Sequence, residues 1–122
     1  MKFLYISLII LLLVAVFSIT NCIYINNVSN LICNLCDEAM NISPDEATSI
    51  TEKIVEAWEN ERDRVSFSVP YQQIDRMNDY ISSLLSAIKS GDKVEYLRSL
   101  SLLRDAAMEL SRLEKLSLAN IF

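Results

Sequence analysis

The stretch from Phe3 to Thr20 constrains this chain more than any other. It reads FLYISLIILLLVAVFSIT, without a charge, a proline or a glycine. As a helix it would cover about 27 Å, close to the roughly 30 Å hydrocarbon core of a bilayer. A helix closes its own backbone hydrogen bonds, so the hydrocarbon leaves no N–H or C=O unpaired. The run predicts a chain in two parts: a transmembrane signal anchor over 1–22 and an extracytoplasmic helical domain over 23–122. Lys2 carries the only ionised side chain before Asp37, and the next base is Lys53. Positive charge on the amino-terminal flank predicts a cytoplasmic N-terminus, with everything after the anchor outside the cell membrane. The apolar run is longer than a secretory h-region, and no small-x-small site follows it. Ser18-Ile19-Thr20-Asn21-Cys22 has only the outline of a lipoprotein box, because Asn21 stands where a small residue is needed. The expectation is an uncleaved single span.

Beyond the anchor about 100 residues remain, enough for one small domain. One glycine and two prolines in the whole chain leave few turns or sheet edges, which favours long helices on short connections. The fold class expected is therefore all-α: an N-terminal transmembrane helix followed by a small antiparallel helical bundle. The net charge of −5 is uneven, with nine acids against three bases over 37–64 and seven of each over 65–122. No basic face exists to displace phosphate counterions, so nucleic acid is not an expected partner. The chain has no histidine. That removes the usual general base near neutral pH, the usual activator of Ser or Cys, and the commonest transition-metal ligand.

Hydrophobic spacing resolves four helices. Ile25, Val28, Leu31, Ile32, Leu35 and Ala39 share one face over 24–41, a helix that continues the anchor. Its other face, with Asn26, Asn27, Ser29, Asn30 and Asn34, is polar but uncharged. Ser43-Pro44-Asp45-Glu46 has the form of a capping box with Pro at the first helical position, opening a helix over 44–66. Its stripe is Ala47, Ile50, Ile54, Ala57, Trp58 and Val65, with Glu52, Glu56, Glu59 and Asp63 opposite. Pro70 disfavours helix at Val69 and sets the break before a helix over 71–90. There Ile74, Met77, Ile81, Leu84, Leu85 and Ile88 form the stripe. Gly91 ends that helix and Asp92 with Glu95 caps the next, over 93–113. Its face is Tyr96, Leu97, Leu100, Leu103, Ala107, Leu110 and Leu113. The expected core is Ile54, Trp58, Ile74, Ile81, Leu84, Leu97, Leu100 and Leu103. Connections as short as 41–43 and 90–92 predict antiparallel neighbours.

At the residue level the chain resembles the domain-of-unknown-function 4363 family, small anchored helical proteins of Firmicutes. The resemblance rests on Trp58 in the first long helix, on Gln73-Ile74-Asp75 opening the next, and on Glu114-Lys115-Leu116-Ser117-Leu118 leading into Asn120-Ile121-Phe122. It departs at Tyr71, where the family often carries a histidine. The resemblance implies a location and an architecture, and brings no activity with it.

Cys33-Asn34-Leu35-Cys36 is a C-x-x-C. A redox pair of the thioredoxin kind needs its first thiol at a helix N-terminus after a strand, so that its pKa falls. Here the pair stands inside a helical pattern, and two small semi-buried thiols on a helix is the plainer reading. Three cysteines without histidine do not complete a zinc site, and the acids of 37–63 contain no calcium loop. No metal and no cofactor are expected. The apolar tail, with Leu116, Leu118, Ile121 and Phe122, has to dock on its own helices, on a partner or on the bilayer; the expectation is that it closes a groove of its own bundle. Two functions survive. One is a membrane-tethered, non-catalytic extracytoplasmic module that binds or scaffolds an envelope or membrane partner, held to the lipid bilayer through Phe3–Thr20. The other is a thiol-based envelope redox or stress element using Cys33 and Cys36.

Overall fold

The structure, a computed structural model, describes residues 1–121, the Pro44 side chain excepted. Its four α-helices are α1 (Lys2–Met40), α2 (Ala47–Val65), α3 (Tyr71–Ser90) and α4 (Lys93–Ile121), with a 3₁₀ turn at Pro44–Glu46 and no strand among the described residues. The anchor and the expected 24–41 helix are one unbroken helix, about 58 Å long. Nothing in the sequence between them carries a breaker, and Asn21 to Asn27 keep the i→i−4 ladder intact. All residues buried on α1 lie between Ile25 and Ala39, so only its distal half enters the bundle.

The helices run up, down, up, down, each packed on its neighbours in the chain, and α4 closes the ring against α1. The core expected from spacing is largely in place: Ile54, Trp58, Ile74, Ile81, Leu84, Leu100 and Leu103 are buried. Leu97 is not; it is 48% exposed. Because α4 packs on both α1 and α3, its second inward row is Ser99 and Ala106, which face the interior instead. Leu31 and Leu85, counted on inward faces, are likewise exposed. On α1 the inward face is turned toward Ser29, Cys33 and Cys36, and Ser29, placed above on the polar face, is 2% exposed.

Local signals are mostly met. Gly91 takes φ 71°, and the N–H groups of Gly91 and Asp92 donate to the carbonyls of Ile88 and Ala87, a complete Schellman end. The Glu95 N–H donates to Asp92 Oδ1 at 3.1 Å, capping α4. The Ser43 box does not form as expected. Ser43 accepts from the Asp45 N–H at 3.4 Å, and the chain makes the 3₁₀ turn before α2 begins at Ala47. At the far end, α4 does not stop near residue 113 but continues to Ile121, since no breaker interrupts it.

Burial gives a stability expectation. Leu100 is fully buried, so Leu100→Ala should cost about 2–5 kcal/mol, as core truncations do. Leu97→Ala, at a half-exposed site, should cost far less. Chemical denaturation followed by circular dichroism compares the two, and equal losses would mean the inward face of α4 is misplaced.

Candidate functional site

Three places concentrate polar or reactive side chains: the seam between α1 and α4, the junction where α1 enters the bundle, and the last turns of α4.

The seam is built from small residues. Ser29, Cys33 and Cys36 on α1 and Ala107 and Ser111 on α4 are all buried there. Small side chains let the two backbones approach, and the hydrogen bonds record how closely. Ser29 Oγ donates to the Ala107 carbonyl at 2.6 Å, and Cys33 Sγ to the Arg104 carbonyl at 3.6 Å. Ser111 Oγ donates to Asn26 Oδ1 at 2.7 Å. At the seam's outer edge the Arg104 guanidinium meets Asp37 two-pronged, Nε to Oδ1 at 2.6 Å and Nη2 to Oδ2 at 3.4 Å. Beside the seam lies an open crevice of about 540 Å³ lined by Asn26, Asn30, Asp105, Glu109, Arg112 and Lys115. It mixes both charges and holds no convergent donor set.

The cysteines are free thiols in this arrangement. Cys36 is fully buried, and burial pushes its pKa from the ordinary 9.0 up to about 12, with the neighbouring Cys33 and Asp37 adding to the rise. Burial raises Cys33 as well, against the opposing pull of Arg104. Both stand in mid-helix, where no free N–H groups stabilise a thiolate. Their chemical character is that of small apolar side chains.

At the junction Tyr24 donates its hydroxyl proton to the Glu61 carboxylate, and the Arg64 guanidinium lies 3.9 Å from the centre of its ring. Burial first, then Glu61, moves the phenol up to about 12. The three side chains fasten α2 to α1 just above the apolar run. Trp58 ties α2 to α3 instead: its indole N–H donates to Asn78 Oδ1 at 2.7 Å while the ring is buried. The acids Glu52, Glu56, Glu59 and Asp63 are exposed along α2. Among the described residues no three Cys, Asp or Glu side chains gather where they could share a metal ion.

The apolar tail is the last part of α4 rather than a separate segment. Leu118 and Ile121 line a crevice with Phe17, Ser18 and Asn21 of α1. Leu116 and Ile121 remain 49% and 58% exposed, and Phe122 lies outside the described residues. Sequence reasoning did not single out the polar seam contacts Ser29–Ala107 and Asn26–Ser111. The repeat of small residues at Ser29, Cys33 and Cys36 was the signal available for them.

These features define a class: an up-and-down bundle of four helices whose first helix projects far beyond it. That projecting half is long and apolar enough to cross a membrane. The chain belongs to the family described as a domain of unknown function (DUF4363), whose model matches residues 19–121. No curated protein and no solved structure matches it.

The thiol chemistry can be checked directly. In the folded full-length chain at pH 8, Cys33 and Cys36 should resist an alkylating reagent, and label once the protein is denatured. The fold holds Cys36 protonated, with a folded pKa above the unfolded one. Its contribution to stability is therefore present below 9.0 and lost as pH rises toward about 12. Rapid native labelling of Cys36 would show a reactive site where the geometry gives a packed one.

Proposed function

We propose that this protein is a membrane-tethered, non-catalytic helical module that binds or scaffolds a partner in the cell envelope or membrane. The observation that carries this reading is the division of α1. The most apolar 18-residue window of the helix is wholly unburied, while Ile25 to Ala39 supply a quarter of a packed core. A run of exposed Leu, Ile, Val and Phe this long is stable only in lipid or against another apolar surface. Because one helix serves both parts, the bundle is held at a fixed height and tilt above the membrane rather than on a flexible stalk. Confinement to that thin layer raises its effective concentration for partners in the same membrane.

Several observations support a role without turnover. The chain has no histidine, the buried thiols have raised rather than lowered pKa, and the crevice beside the seam is open, with charges of both signs along α4. Thiol cycling would call for an accessible thiolate of low pKa, which Cys33 and Cys36 do not offer. The positive flank at Lys2 supports an N-terminus in the cytoplasm and a bundle outside, in the Firmicute cell membrane that the family resemblance suggests.

Two measurements test the reading. A C-terminal reporter active only in the cytoplasm should stay silent in cells, with the chain at full length; activity, or loss of about two dozen N-terminal residues, would overturn the topology. In the same cells Cys33→Ala with Cys36→Ala should leave the phenotype of the wild type, whereas loss of function in the double variant would favour the redox reading.

A further inference from the structure

The contacts along the α1–α4 seam fix a register. Asn26 pairs with Ser111, Ser29 with Ala107 and Cys33 with Arg104, so each step up α4 matches a step down α1. Continued to its end, α4 brings Ile121 beside Phe17 and Ser18, and both helices line one crevice there. Phe17 lies three residues inside the apolar run that ends at Thr20. Ile121 therefore sits about 5 Å below the outer end of that run, within the depth at which amphipathic helices bury their apolar face.

A second element reaches the same level. Ser68, in the connection between α2 and α3, lines the same crevice. Its neighbour Phe67 is 91% exposed and Tyr71 is 77% exposed. Outside the apolar run, these are the only exposed large aromatic side chains among the described residues. Elsewhere the exposed large apolar residues are aliphatic or Met: Ile23, Leu31, Leu85, Val94, Leu97 and Met108. Few ionised groups reach the base: none occurs on α1 between Lys2 and Asp37, between Arg64 and Asp75, or from Leu116 to Ile121, and Glu114 alone among the crevice-lining residues carries a charge. Arg64 over the Tyr24 ring and Lys115 stand just above, together with the acids Glu61 and Glu114, where lipid headgroups would meet them. Aromatic side chains at the interface with basic groups beside them are the ordinary composition of a membrane-water boundary.

We propose that the base of the bundle is seated in the outer leaflet of the bilayer, with Phe67, Tyr71, Leu116 and Ile121 inserted at the headgroup–acyl boundary. The occupant of this apolar surface is lipid. It is argued from its continuity with the lipid-spanning face of α1, its exposed Phe67 and Tyr71, and its depth. This rests on the reading of Phe3–Thr20 as the span. The protein then contacts the membrane through three segments, and α4 leans on the bilayer it returns to.

Tryptophan depth measurements on the full chain in phosphatidylcholine vesicles test it. Phe67→Trp and Ile121→Trp each replace an exposed side chain, and circular dichroism confirms their fold. Leu11→Trp marks the span, and native Trp58, 1% exposed in the core, is the background. Bromine on the lipid acyl chains should take emission from all three introduced tryptophans, and aqueous iodide should leave them unchanged relative to wild type. Quenching of the Phe67 and Ile121 variants by iodide and not by bromine, with the Leu11 variant quenched by bromine, would overturn the seating and leave the anchor standing. A Leu11 variant that bromine does not touch would overturn both.

Discussion

The whole arrangement depends on how closely α1 and α4 approach. Neither helix could donate a side-chain hydrogen bond into the other's backbone across bulky residues. Ser29 reaches the Ala107 carbonyl at 2.6 Å only because Ser, Cys and Ala line both sides. A single such bond contributes about 0.5–1.5 kcal/mol net, so its energetic weight is modest. Its structural consequence is larger, since it sets the register between the longest helices. With that register fixed, the ring closes, Asp37 meets Arg104, and the end of α4 is carried down beside Phe17. The C-x-x-C belongs to this seam. Larger side chains at 33 and 36 would push the helices apart.

Much of the fold was legible in the sequence because its signals act over short range. Pro70 excludes helix at Val69, Gly91 alone accepts the left-handed turn, and Asp92 caps its own helix. Each needs nothing beyond its neighbours in the chain. What escaped depends on which helix lies opposite. Leu97 and Leu85 fit their stripes by spacing, but the faces are rotated by having two neighbours to satisfy, so Ser99 and Ala106 go inside. Ser29 looked solvent-facing because its polarity was weighed and the smallness of the row it shares with Cys33 was not. The Ser43 box failed for another reason. A 3₁₀ turn satisfies the same free N–H groups, with the Glu46 N–H donating to the Ser43 carbonyl at 2.9 Å.

The candidate site was legible to a lesser degree. The absence of histidine argued against His-dependent triads and His-type zinc sites, but the tail residues could not be placed from spacing alone. Leu116, Leu118 and Ile121 read as a segment free to fold back, and the structure continues α4 through them. No glycine or proline stands between Lys93 and Ile121 to turn the chain, so the helix simply goes on. Its destination is set by the seam several turns away.

One continuous helix that is apolar projection at one end and core strut at the other has a further consequence. A tilt of the apolar half of α1 would pass to the bundle, because no Gly or Pro separates Thr20 from Ile25. Tyr24, held by Glu61 and overlaid by Arg64, stiffens that same junction against α2. The flank of α2 carries Glu52, Glu56, Glu59 and Asp63 in exposed positions, the densest run of one charge on the bundle. The acids stand on a helix braced by Trp58 and Tyr24, so their spacing is kept by the packing behind them.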